Sequence, residues 1–174
     1  MTWSTVHHRG EILRAVTRTA DERRDGLLPM DVVGVHETFG DELALLAALQ
    51  LRWHTRLSGH LERALLEDPA DLEEEVVRAW GATAAELPGT RLVLDQYRAE
   101  PLDDAMAGAI ARSVAKERIL MAVMAGLAGT RTEETVAAGL ALEERARADY
   151  RPPSARSPHR GAGLLSRIRA HGAA

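Results

Sequence analysis

The sequence contains no cysteine. That excludes a disulfide framework, a thiolate zinc site, an iron–sulfur cluster and a cysteine nucleophile. Aromatic residues make up only 3% of the chain, with a single Phe, so the β-branched and aromatic runs that favour strands are scarce. Lysine is almost absent too: Lys116 is the only one, and every other basic side chain is an arginine. The longest apolar stretch, residues 119–128, falls short of the roughly 20 residues a membrane span needs. The N-terminal segment has no apolar stretch of signal-peptide type, and a cytoplasmic location is expected.

What is present is alanine and leucine, which supply most of a 45% hydrophobic fraction. Both are strong helix formers, so an all-α fold is expected: a bundle of four main helices with one or two short ones. The 174 residues suffice for one domain with a core of its own. Charge divides the chain. Up to Tyr150 there are 17 basic and 26 acidic residues, a net of −9, whereas five arginines and no acid follow. Residues 1–150 therefore read as an acidic helical bundle. Residues 151–174 read as a Pro/Arg-rich linker and short amphipathic tail, disordered because clustered prolines and few apolar residues cannot offset the entropy of ordering.

Periodicity places the helices. The first runs from about Thr5 to Arg24, capped by Ser4 and stopped at Gly26, with Val6, Leu13, Val16 and Ala20 inward. Leu27-Leu28-Pro29-Met30 is an apolar connector. Leu43, Leu46, Gln50, Trp53, Leu57, Leu61 and Leu65 recur at three- and four-residue steps behind a capping Asp41, after an added turn at residues 35–40. Asp68-Pro69 starts the next helix, with Leu72, Val76, Trp80, Ala84 and Leu87 inward, and Pro88-Gly89 ends it. A short helix spans residues 90–99. Glu100-Pro101 opens a long one carrying Met106, Ile110, Val114, Leu120, Met121, Met124 and Leu127. Thr130 to Glu133 fits a capping box for the last helix, which ends near Asp149.

No phosphate-binding glycine loop, HExxH or GxSxG is present. The residue of most interest is Glu117, flanked at helical spacing by Ile110, Val114, Leu120 and Met121, so its carboxylate points near the core. A buried carboxylate costs several kcal/mol unless it has a partner or a metal. Arg52, Arg56, Arg112 and Arg118 are candidate ion-pair partners. A divalent transition metal held by Glu117, His54 and Gln50 is the alternative, with Glu42, His60 and Glu62 as further donors. Di-iron bundles use paired Glu-x-x-His motifs, and the chain has none. Trp53, Trp80 and the set Met106, Met121 and Met124 read as core; Trp3 stands apart as an interface candidate.

Residues 9–24, from Arg9-Gly-Glu-Ile-Leu to Asp-Glu-Arg-Arg, resemble the first helix of TetR-type repressors, and the acidic helices beyond resemble their regulatory domains. Where that family places its helix-turn-helix, this chain has Leu27 to Phe39 with no basic recognition helix, so it cannot read duplex DNA in the major groove. As a whole the chain is similar to uncharacterised helical proteins of actinobacteria, a resemblance that implies no function. The leading expectation is a non-enzymatic interaction domain, adaptor or regulatory, without a cofactor. It engages a protein partner through a tethered segment in which Leu164, Leu165 and Ile168 form a helical face beside Arg167 and Arg169. The same arginines suit nucleic acid or acidic lipid, and homo-oligomerisation through Trp3 or the methionines is left open.

Overall fold

The computed structural model describes residues 3–66 and 69–151, with side chains from His7 onward. Among the described residues the chain forms seven helices and no strand: α1 (Trp3–Arg23), α2 (Val35–Phe39), α3 (Glu42–Leu65), α4 (Leu72–Glu86), α5 (Pro88–Ala99), α6 (Asp104–Met124) and α7 (Thr132–Asp149). The all-helical expectation holds. The basic tail beyond Arg151 lies outside the described residues.

The central element is α3. Its leucines at 45, 46, 49, 57 and 61, with Trp53, make a continuous buried stripe, which a helix of this length can direct to several neighbours at once. α3 packs most extensively on α4, α6 on α7, and α1 on α5, while α4 also meets α7. Met106 and Met121 are fully buried and Met124 packs on the same core, so the methionines fill the interior. The 27–30 connector covers one side: Leu28 is buried, and its N–H donates to the Tyr97 hydroxyl at 3.4 Å.

The caps show why several helices start where they do. Asp41 accepts from the Ala44 N–H at 2.8 Å, Asp71 from Glu74 at 3.0 Å and Asp103 from Met106 at 2.7 Å. The expected start at Asp68-Pro69 is displaced to Leu72, because Asp71 does the capping. The expected opening at Glu100-Pro101 is displaced to Asp104 for the same reason. Nor does the Thr130–Glu133 capping box form. Arg131 is the N-cap, and the Thr135 hydroxyl instead accepts from the Gly129 N–H and donates to the Arg131 carbonyl. Pro88 takes the first position of α5 rather than closing a loop, so α4 and α5 meet at Leu87 alone.

Two helical glycines permit close crossings. A Cβ on Gly89 would lie 2.2 Å from the Ala20 backbone, and one on Gly139 would lie 2.0 Å from the Arg118 carbonyl oxygen. At the first crossing Asp21 Oδ1 accepts the Gly89 N–H at 2.8 Å, tying α1 to the start of α5. Burial pushes the Asp21 carboxyl above its usual range, and that N–H opposes the shift.

Candidate functional site

Helix α6 turns Glu117 inward on the stripe that also buries Ile110 and Met121, leaving the residue 7% exposed. Its partner is the indole of Trp80 on α4, whose N–H donates to Glu117 Oε1 at 3.1 Å. None of the arginines considered as partners pairs with it among the described residues. Arg118 turns to α7, Arg56 pairs with Glu86, and the Arg52 Nε–H has no acceptor among the described residues. A lone indole bond is a modest return for a buried carboxylate.

One turn before Glu117, the Ser113 hydroxyl lies 3.2 Å from His54 Nε2, placing the half-buried His54 of α3 beside this part of α6. Burial lowers the tendency of His54 to protonate. The Glu117 charge opposes that shift without reversing it, and the Arg91 and Lys116 charges reinforce it. Gln50 is half-buried one turn earlier on α3. His60 faces Glu86 on α4 at 3.0 Å, and thus belongs to a different ion pair. Among the described residues no three His, Cys, Asp or Glu side chains converge as a metal-holding group.

The densest polar construction includes Arg147, whose guanidinium lies over the Trp80 ring. Glu143 of α7, 3% exposed, accepts from three arginines: Arg98 of α5 at 2.7 Å, Arg118 of α6 at 2.9 Å and Arg147 of its own helix at 2.9 Å. Burial alone would raise the Glu143 carboxyl. Three charge-assisted hydrogen bonds outweigh that and hold it at about 2, below its ordinary 4.5. Asp95 of α5 is fastened to Arg147 by two bonds, at 2.8 and 3.1 Å, and to Arg91 at 2.8 Å. Burial raises its carboxyl also, but the bond from Arg147 and the nearby Arg91 charge bring it below the ordinary range.

Aromatic faces hold the inner ends of this network. The Arg91 guanidinium lies 4.6 Å from the Trp53 ring centroid, and that of Arg147 lies 5.2 Å from Trp80. Trp80 meets Trp53 edge-on at 5.6 Å and Tyr150 edge-on at 6.0 Å. The Tyr150 hydroxyl donates to the Ala84 carbonyl at 3.0 Å, so the point where the basic tail leaves the bundle is pinned to α4.

Four guanidinium groups thus share two carboxylates, a local cationic excess inside a body of net negative charge. Beside them opens a groove of about 320 Å³, with Arg98 and Arg118 at its polar end and Ala107, Ile110, Ala111 and Val114 along its wall. A second cleft, of about 560 Å³, is lined by Asp95, Arg98, Glu143, Glu144 and Arg147.

No family model, curated protein or solved structure matches this chain. Leu164, Leu165, Arg167, Ile168 and Arg169, the docking residues expected from sequence, lie outside the described residues, and Trp3 is described only as the first residue of α1. Periodicity found Glu117 but missed Glu143, Arg147, Asp95, Arg98 and Arg91. A signal existed on α7, where Glu143 falls between the apolar Leu142 and Ala146, with Arg147 at i+4.

Proposed function

We propose that the chain is a non-enzymatic interaction domain, an adaptor or regulatory module that engages a protein partner through the tethered segment 151–174. The observation carrying this reading is how the tail is attached. Tyr150 is fixed by its hydroxyl to α4 and by its ring to Trp80, so the described chain ends at an anchored residue, and the sequence from there on carries five arginines together with Leu164, Leu165 and Ile168. The charged side chains of the interior support it: Glu143, Asp95 and Arg147 are fastened to one another and Glu117 to Trp80, an arrangement that favours rigidity. No described helix is long and apolar enough to cross a membrane. Removing residues 152–174 is the test. Circular dichroism should show the bundle unchanged while capture of cross-linked partner is lost; capture retained by the shortened chain sinks the docking role.

The contact of His54 with Ser113 at 3.2 Å, one turn before Glu117, favours a second reading, a divalent transition metal held by His54, Glu117 and Gln50. Tag-free protein dialysed against buffer and analysed for metal separates the two. A stoichiometric transition metal that Glu117→Ala and His54→Ala remove would replace the adaptor reading.

A further inference from the structure

The groove at the α5–α6 junction has a chemical character that the interaction reading does not use. Among the described residues, the only charged side chains in its lining are Arg98 and Arg118, both cationic, and the rest of the wall is alanine, valine, isoleucine and proline. Neither guanidinium is saturated. Arg98 gives one bond from its Nη1 to Glu143, and Arg118 gives only its Nε–H to the same carboxylate. Among the described residues no other hydrogen bond engages either group, although an arginine carries five N–H donors. Their shared acceptor also serves Arg147, which Asp95 engages as well, so Glu143 and Asp95 together face four guanidinium groups. Arg118 is 16% exposed, and none of its nitrogens is both buried and without a partner, so its remaining N–H groups are open to the groove and to a ligand there.

We propose that this groove binds a small monocarboxylate with an apolar body, its carboxylate bridging Arg98 and Arg118 and its chain lying against Ala107, Ala111 and Val114. A carboxylate matches the fork of a guanidinium and supplies the negative charge the cluster lacks. The apolar wall selects against inorganic anions. A volume of about 320 Å³ lies at the small end of ligand pockets, suiting a medium-length acyl or aryl acid better than a bulky cofactor.

Isothermal titration of the full chain with octanoate tests the proposal, with octan-1-ol, octylamine and inorganic phosphate as comparators. Octanoate should bind saturably at one site, and each comparator at least about tenfold more weakly. Arg118→Gln should weaken octanoate by about tenfold or more. Because Arg118 also holds Glu143, a second variant leaves the ion network alone. Ala111→Phe, at an exposed position, should fill the groove and abolish binding while the melting curve stays as in the parent. Octanol matching octanoate, phosphate matching octanoate, no saturable octanoate binding, or undiminished binding by Ala111→Phe each overturn the proposal. So does an acidic hexapeptide that binds more tightly than octanoate, which would make the groove a peptide site.

Discussion

Replacing Glu143 by Gln should be among the most damaging conservative changes in the protein, and the damage should depend on pH. The carboxylate sits at the meeting point of α5, α6 and α7 and accepts from Arg98, Arg118 and Arg147. Its displacement from 4.5 to about 2 corresponds to about 3 kcal/mol of stability at neutral pH. Arg98 and Arg147 are each about a third exposed, and screening there brings the expected loss nearer ~2 kcal/mol. In a domain of this size that lowers the melting temperature by about 4–8 °C. Because the folded-state value is depressed, the contribution is fully present above about pH 4.5 and disappears as pH falls toward about 2. Urea unfolding of parent and Glu143→Gln at pH 7, 5 and 3 should show a gap that is wide at the first two and narrower at the third. Arg98→Gln provides the contrast: it removes one of three cations around a single acceptor and should cost no more than about 1 kcal/mol. A Glu143→Gln variant within about 0.5 kcal/mol of the parent at pH 7, or a gap independent of pH, would refute the idea that this carboxylate holds three helices together.

Three further outcomes can be measured on the same scale. Trp80→Phe keeps most of the ring packing but leaves the buried Glu117 oxygen without its N–H, and should cost about 1–3 kcal/mol by urea unfolding at pH 7. Gly89→Ala and Gly139→Ala should each destabilise by about 3 kcal/mol or more, against the usual gain from Gly→Ala in a helix, because the new methyl meets the backbone of the facing helix. For His54 the sign is the same as for Glu143, in a higher pH window. Burial lowers its folded-state value below 6.5, so parent stability should decline as pH falls through 6.5, and His54→Asn should flatten that part of the profile.

Much of the architecture was legible because one apolar stripe determines each long helix: Leu46, Trp53, Leu57 and Leu61 could be read at helical spacing, and all four are buried. Helix starts were less so. Asp68 and Asp71 are both competent caps three residues apart, and spacing alone does not choose between them, whereas the structure uses Asp71. Glu117 was visible as an inward carboxylate, yet its acceptor bond to an indole on another helix was not. The Glu143 network was hidden for a related reason. Arg98, Arg118 and Arg147 come from three helices: Arg98 and Arg147 look like solvated side chains until the helices are packed, and Arg118 reads as a partner for Glu117 whereas it serves Glu143. The close crossings at Gly89 and Gly139 leave only a glycine inside a helical run, which spacing cannot distinguish from a tolerated one.

The central claim, that the segment beyond Tyr150 docks a protein partner by an apolar helical face, is tested most directly in the intact chain. Leu164→Asp, Leu165→Asp and Ile168→Asp made together remove the face and leave all five tail arginines in place. The cross-linked partner recovered with the parent should be lost with this triple variant and retained when Arg167→Gln and Arg169→Gln are made instead. Partner recovered with the triple variant and lost with the arginine pair would contradict it, and would make the tail an electrostatic tether.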